Sequence, residues 1–300
     1  MTSSLDQALA VVRDVAARHR VETETLALSR CHGRVILQDL ASTNAAEPVG
    51  DAGPAIRHGV VMTPARVALA ASLGVPSLSV ARRPTVAVFT TGNDLVEPGM
   101  PLAAGQAYDS NRELLIGLLR AEGLEPTAWP RLPDDPRQIE IALRDAGCAF
   151  DVVVVCESAA SGAGAFITDV LEQFGTVHFN EVPRSFGAPV HFGSLDQARV
   201  LGLPAGPLPL TAAWLTLGRA LVDGLQGRIE PRKMLRARLV GPVDPAQLQG
   251  AFVPARIELG DDGLRVDPQV PGLVDSHGLI LLQESSPPLP TNAIVDVIPL

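Results

Sequence analysis

The sequence predicts an α/β chain: a parallel sheet with helices on both faces, preceded by a helical arm and followed by a small β domain. Three observations carry this. Between Arg83 and Leu225, short β-branched runs alternate with segments of helical periodicity. Asp151-Val152-Val153-Val154-Val155 is the clearest run and reads as a strand buried on both faces. After Gly227 the helical period disappears and short strand-like stretches follow one another. At 300 residues, 46% of them hydrophobic, the chain is long enough for a sizeable core and for more than one domain. The expected division is 1–82 for the arm, 83–227 for the α/β domain and 228–300 for the β domain.

The elements follow in order. Leu5, Ala8, Leu9, Val12, Val15 and Ala16 recur at helical spacing and open the chain with an amphipathic helix. Arg34–Leu37 reads as a short strand and Ala41–Pro54 as a linker. Thr63-Pro64 supplies an N-cap and first-turn pair for a helix over Ala65–Leu73, which Gly74 ends. Thr85–Phe89 is the first strand of the α/β domain. Ser110-Asn111-Arg112-Glu113 is a capping box for a helix to Glu122, and Asp135-Pro136 starts another that runs to Ala146. Ala165–Phe174 reads as helix, Val177–Phe179 and Val200–Leu203 as extended, and Thr211–Leu225 as the last long helix. The β domain takes Leu235–Val240, Phe252–Leu259, Leu264–Asp267, Gly278–Gln283 and Ala293–Ile298, with a hairpin signal at Asp261-Asp262-Gly263. A barrel and a sandwich both fit that pattern.

Composition excludes several function classes. The net charge of −9 argues against a broad nucleic-acid surface, which needs clustered positive charge. The cations are 23 Arg and a single lysine, Lys233, so a site needing an ammonium has one candidate. Cys31, Cys148 and Cys156 form no C-x-x-C pair and read as buried free thiols in a reducing compartment. The start of the chain has no signal-peptide pattern, and no apolar run approaches a membrane span. These features predict a soluble, cytoplasmic protein.

Ligands of open parallel sheets bind beyond the carboxyl ends of the strands. Three loops are therefore privileged: Thr90–Asp94 with Tyr108–Asn111, Leu132–Pro136 with Asp134 and Asp135, and Cys156–Gly164 with its small residues before a helix. None is a G-x-x-x-x-G-K-[ST] or G-x-G-x-x-G fingerprint. Asp109-Ser110-Asn111 reads equally as a helix cap and as a ligand group, and Asp134 and Asp135 as loop and cap residues first. Glu157, placed after the buried strand, stands open between a replacement carboxylate and a solvated side chain. His178 and His191 read as structural.

Thr90-Thr91-Gly92-Asn93-Asp94-Leu95, Gly105-Gln106-Ala107-Tyr108-Asp109-Ser110-Asn111-Arg112, Pro133-Asp134-Asp135-Pro136, Phe186-Gly187-Ala188-Pro189 and Gly202-Leu203-Pro204-Ala205-Gly206-Pro207 come in this order. Order and spacing resemble the molybdopterin molybdenumtransferase family, MoeA type, related to the gephyrin E domain. The resemblance covers nearly all of the chain and implies a MoeA/MogA-like fold, molybdate insertion into adenylylated molybdopterin, Mg²⁺ as the metal and a homodimer. It implies Asp94, Asp134 and Asp135 as catalytic, with Asp94 and Asp134 holding metal. Thr91, Gly92, Asp109, Ser110, Asn111, Ser161, Gly162 and Gly164 would hold the pterin or nucleotide.

Departures from the pattern are several. One carboxylate is replaced by Asn93, an acidic position falls at about Phe166, and two lysines fall at Ser185 and Ala188. The family's inserted domain has no room between Ala46 and Arg57. Together they imply a degenerate site, with weak or lost activity. The alternative is a non-catalytic paralogue that binds a pterin or nucleotide or acts as a scaffold.

Overall fold

The computed structural model describes residues 4–41, 54–157, 163–180, 186–248, 250–261, 263–282 and 287–300. The expected linker at Ala41–Pro54 falls almost wholly outside them. Helix α1, Leu5–Ala17, buries the predicted stripe of Ala8, Val12, Val15 and Ala16. The described chain forms two compact units, one of residues 12–84 with 219–232, the other of residues 1–11, 85–218 and 233–300.

In the first unit, strand β1, Thr23–Ala27, pairs antiparallel with β2, Ser77–Ala81, a strand pair that periodicity did not show. Helix α2, Pro64–Ser72, begins as predicted: the Thr63 side chain accepts from the Arg66 N–H and Pro64 fills the first turn. Leu26, Ile36, Leu40, Ile56, Met62, Val67, Leu78 and Val80 form this unit's own core. Buried Arg34 donates to Glu24 and to the Ala81 carbonyl, so its charge is paired rather than stranded.

Glu230 locks the unit. Arg66 grips its two oxygens at 2.8 and 3.0 Å, and the Val61 N–H donates to it at 3.2 Å. Arg66 holds the Glu230 carboxyl down at about 2. Because the folded value lies below the unfolded one, the stability this adds is present at neutral pH. It disappears as pH falls from the ordinary glutamate range through 2. Glu230→Gln is therefore expected to cost about 2 kcal/mol at pH 7, discounted for partial exposure. Urea unfolding should show the variant and parent converging near pH 2; a constant difference would remove the ion pair as the cause.

The second unit holds the site. Its six-stranded sheet runs in the order β6-β3-β7-β10-β9-β8. Strands β3 (Val86–Thr90), β6 (Pro126–Ala128), β7 (Val152–Cys156) and β10 (Ala198–Leu203) are parallel, as the alternation predicted. β8 (Thr176–Phe179) and β9 (His191–Leu195) extend it in antiparallel pairs, which makes the sheet mixed. A tight turn through Asp196, at φ +48°, joins β9 to β10. Two short strands, β4 (Leu95–Val96) and β5 (Ala107–Tyr108), pair beside the first loop.

Alternate strand residues face opposite layers. Ala87, Phe89, Val153, Val155 and Val200 pack on α4 (Pro136–Ala149) and α5 (Ala163–Phe174). The opposite face meets α3 (Ser110–Ala121) and α6 (Pro207–Ala213). Several boundaries differ from expectation: α5 starts at Ala163 and α6 at Pro207, each a few residues early, and two further differences have a clear cause. α3 is capped by Asp109, whose side chain accepts from the Arg112 N–H, so Ser110 is already helical. α4 runs through Gly147, because that glycine packs on Leu195, where a Cβ would sit 3.1 Å from the leucine side chain.

Past Lys233 the unit continues as a closed five-stranded barrel: β11 (Leu235–Leu239), β12 (Phe252–Gly260), β13 (Gly263–Asp267), β14 (Gly278–Leu281) and β15 (Ile294–Pro299). Ala237, Leu239, Val253, Ala255, Val266, Ile280 and Val297 fill its interior. The barrel resolves the choice left by the strand pattern, and closure removes the free edges of such short strands.

Candidate functional site

The carboxyl edge of the sheet carries the polar residues that sequence singled out. β3 ends at buried Thr90, which is in register with Cys156 of β7, itself beside Leu203 of β10. Beyond Thr90, the Thr91 N–H donates to the Cys156 carbonyl at 3.1 Å, and the Gly92 N–H to the Leu132 carbonyl at 3.2 Å. Gly92 has φ +136°, a conformation that favours glycine. The Arg131 guanidinium donates to its carbonyl.

The next loop is clipped to this one. The Asn93 N–H donates to Asp134 Oδ2 at 3.1 Å, and the Asp134 N–H donates to Asn93 Oδ1 at 3.3 Å. Asp134 Oδ1 is buried and makes no hydrogen bond. Half-buried Asp94 follows Asn93, and its carbonyl accepts from the Ala107 N–H. Asp135 is occupied otherwise. It caps α4 by accepting from the Arg137 and Gln138 N–H groups at 2.9 and 3.0 Å. Those bonds, Gln138 foremost, lower its carboxyl from the usual range.

Asp109 is buried between the sheet and α3. The Thr90 hydroxyl donates to Oδ2 at 2.6 Å and the Arg112 N–H to Oδ1 at 3.2 Å. Ser110 is exposed, and Asn111 turns its amide toward the Cys156 thiol while its Oδ1 is buried without a bond. Burial, with Asp109 and Glu157 adding to it, pushes the Cys156 thiol up to about 12, so it is no nucleophile. Phe166 packs on the core beneath α5. Ser161, Gly162 and Ser185 lie outside the described residues; Ala188 is partly buried.

The structure adds a pair that sequence did not join. Glu157, directly after β7, places Oε1 3.5 Å from Nε2 of His191 on β9, with the side chains 15% and 11% exposed. The Thr168 hydroxyl meets His191 Nδ1 at 3.3 Å. Burial raises the Glu157 carboxyl to about 7. Two glycines make the space: a Cβ on Gly202 would lie 2.9 Å from Glu157 Oε1, and one on Gly164 would lie 2.4 Å from Oε2. Glu157 followed a buried strand and was visible as a candidate; His191 lies on a strand whose H-F-G-S-L sequence has little β signal.

Among the described residues no helix is long and apolar enough to cross a membrane, and no three metal-ligating side chains group together. Residues 87–223 match the family described as "Probable molybdopterin binding domain". The molybdopterin molybdenumtransferase of Haemophilus influenzae is 34% identical over 178 residues, 59% of this chain and 44% of that protein. Molybdopterin molybdenumtransferase 2 of Mycobacterium tuberculosis is 29% identical over 217 residues, 67% of this chain and 53% of that protein. The chain thus spans about half the length of these curated relatives. The solved structure of the molybdopterin biosynthesis MoeA protein of Pyrococcus horikoshii shares the fold, with a TM-score of 0.78 at 20% identity, over 99% of this chain and 98% of that one. In its sheet and barrel the chain shares the MoeA fold, and over residues 87–223 it is similar to the molybdopterin binding domain of the MoeA-type molybdopterin molybdenumtransferases.

Proposed function

We propose that the protein serves molybdenum cofactor biosynthesis by binding adenylylated molybdopterin, or a related pterin or nucleotide, at the carboxyl edge of the sheet, with weak or no molybdate insertion. The body that binds is the α/β part at 83–227, in a cytoplasmic homodimer. One observation carries the reduced turnover: most of the rim's carboxylate oxygens are committed to the fold, which leaves Asp134 Oδ1 for a cation. Asp109 spends both oxygens on Thr90 and Arg112, Asp135 caps α4, and one Asp134 oxygen holds Asn93. The same commitment favours the second reading, a non-catalytic paralogue.

What fits a cation is the orphaned Asp134 Oδ1, with Asp94 next to the clipped Asn93. Mg²⁺ is commonly held by one or two carboxylates plus ligand phosphates, so these two residues suit a cation that arrives with its ligand. When bound, the cation would offset the charge of phosphate and molybdate. Thr91, Gly92, Ser110, Asn111 and the 161–164 backbone would hold the pterin or nucleotide. Calorimetry with Mg²⁺ alone should give an affinity no tighter than micromolar; sub-micromolar binding would mean a complete ligand set.

Titration with adenylylated molybdopterin, with and without Mg²⁺, followed by assay for AMP release, tests the reading. Weak binding with negligible release is expected, and release at the rate of an intact family member would sink it. Ser185→Lys with Ala188→Lys should tighten binding by one or more powers of ten, since each charge-assisted bond is worth ~1.5–3 kcal/mol. The gain should shrink in salt. Turnover should not return, because most of those carboxylate oxygens remain committed.

A further inference from the structure

The geometry points to Glu157 and His191 as a protonation-operated latch that clips the first turns of α5 onto the ends of β7, β10 and β9, closed while Glu157 keeps its proton and released when it ionises. The latch shares Gly164 with the ligand reading above but does not rest on it, because every contact it uses lies within the protein.

The residues sit on four different elements. Glu157 leaves the end of β7, where its N–H donates to the Leu203 carbonyl at 3.1 Å. Its side chain crosses β10 over Gly202, whose missing Cβ opens the path, and reaches His191, which pairs with Gly202 across β9. α5 closes the slot from above. Gly164 in its first turn lies against Glu157 Oε2 and His191 Nε2, and Thr168 one turn later holds His191 Nδ1. The carboxyl and the imidazole are therefore walled by the sheet on one side and α5 on the other.

The slot suits one protonation state better than the other. The Glu157 Oε1 atom is buried and makes no hydrogen bond. A neutral carboxylic acid tolerates that, whereas an ionised one in the same place needs compensation. Among the described residues the groups facing it from each element are few: His191 from β9, Cys156 from its own strand with Asp109 behind it at the start of α3, and Gly164 and Thr168 from α5. Cys156 stays neutral and Asp109 adds negative charge, so His191 is the one cation source among them. Once Glu157 has lost its proton to solvent, relief comes from admitting water, and α5 is the movable wall.

Hydrogen exchange on the full chain tests this. Protection of the α5 amides, corrected for the intrinsic pH dependence of exchange, should fall roughly thirtyfold between pH 5.5 and pH 8 in the parent. In Glu157→Gln it should stay level, because the amide cannot ionise. Level protection in the parent, or an equal fall in both proteins, overturns the latch. Should the variant fail to fold, carbon-13 titration of the Glu157 carboxyl in the parent decides the matter. A midpoint near neutrality that coincides with loss of α5 protection supports the latch, and a midpoint in the ordinary glutamate range removes it.

Discussion

Asp109→Ala is expected to destabilise the protein by about 3 kcal/mol, although Asp109 lies at a helix start where capping alone explains less. A lost N-cap costs about 0.5–2 kcal/mol. Here the same carboxylate also takes the Thr90 hydroxyl at 2.6 Å, and Thr90 is 1% exposed. Truncation strands that hydroxyl in the core, at about 1–3 kcal/mol. Asp109→Asn keeps one acceptor oxygen for the Arg112 N–H and turns an NH2 toward Thr90, whose hydroxyl can rotate to accept from it, so it should cost about 1 kcal/mol through weaker neutral bonds. Adding Thr90→Val to Asp109→Ala should recover part of the loss, because the stranded donor goes with it. Urea unfolding of the parent, Asp109→Ala, Thr90→Val and the double variant closes the cycle, with Asp109→Asn read beside it. If Asp109→Ala lies within the error of the parent, the buried bond is not what holds α3 to β3.

The contrast between Asp109 and Glu157 shows what the sequence made legible. Periodicity located β3, β7, β10 and the helices between them, because buried parallel strands and amphipathic helices write their burial into residue type. Thr63-Pro64 and Asp135-Pro136 marked helix starts correctly, since caps act within a few residues. The capping-box pattern places the cap of α3 at Ser110, whereas Asp109 takes that place; only the tertiary contact with Thr90 decides between adjacent cap-forming residues. β1, β2 and β9 were invisible because their stability comes from partners distant in sequence, as in the pairing of Thr23 with Ala81. The site divides in the same way. Loop positions of Asp94, Asp134 and Asp109 followed from strand ends, but the oxygens they had left for a ligand depended on Asn93, Thr90 and the α4 amides. The meeting of Glu157 with His191 needs the antiparallel return of β9, so no local pattern announces it.

Glu157→Gln is expected to stabilise the protein by about 3 kcal/mol at pH 8 and by less than about 1 kcal/mol at pH 5. In the folded chain burial raises the Glu157 carboxyl to about 7, above the ordinary value it regains on unfolding. Between those two values the unfolded state sheds a proton that the folded state keeps. Stability is therefore full below the ordinary glutamate range, declines as pH rises, and levels off once the folded carboxyl has also ionised. Glutamine has no proton to lose and escapes the decline, so the difference between variant and parent should grow with pH and reach a plateau above neutrality. His191 limits the size of the effect to the extent that it carries charge beside the carboxylate at 3.5 Å. His191→Phe should accordingly destabilise the protein most at high pH, where an ionised Glu157 is left facing an apolar ring. Denaturant unfolding at several pH values reads all three proteins. A gain from Glu157→Gln that is the same at pH 5 and pH 8 would show that the amide packs better, and that ionisation of Glu157 is not what weakens this edge of the sheet.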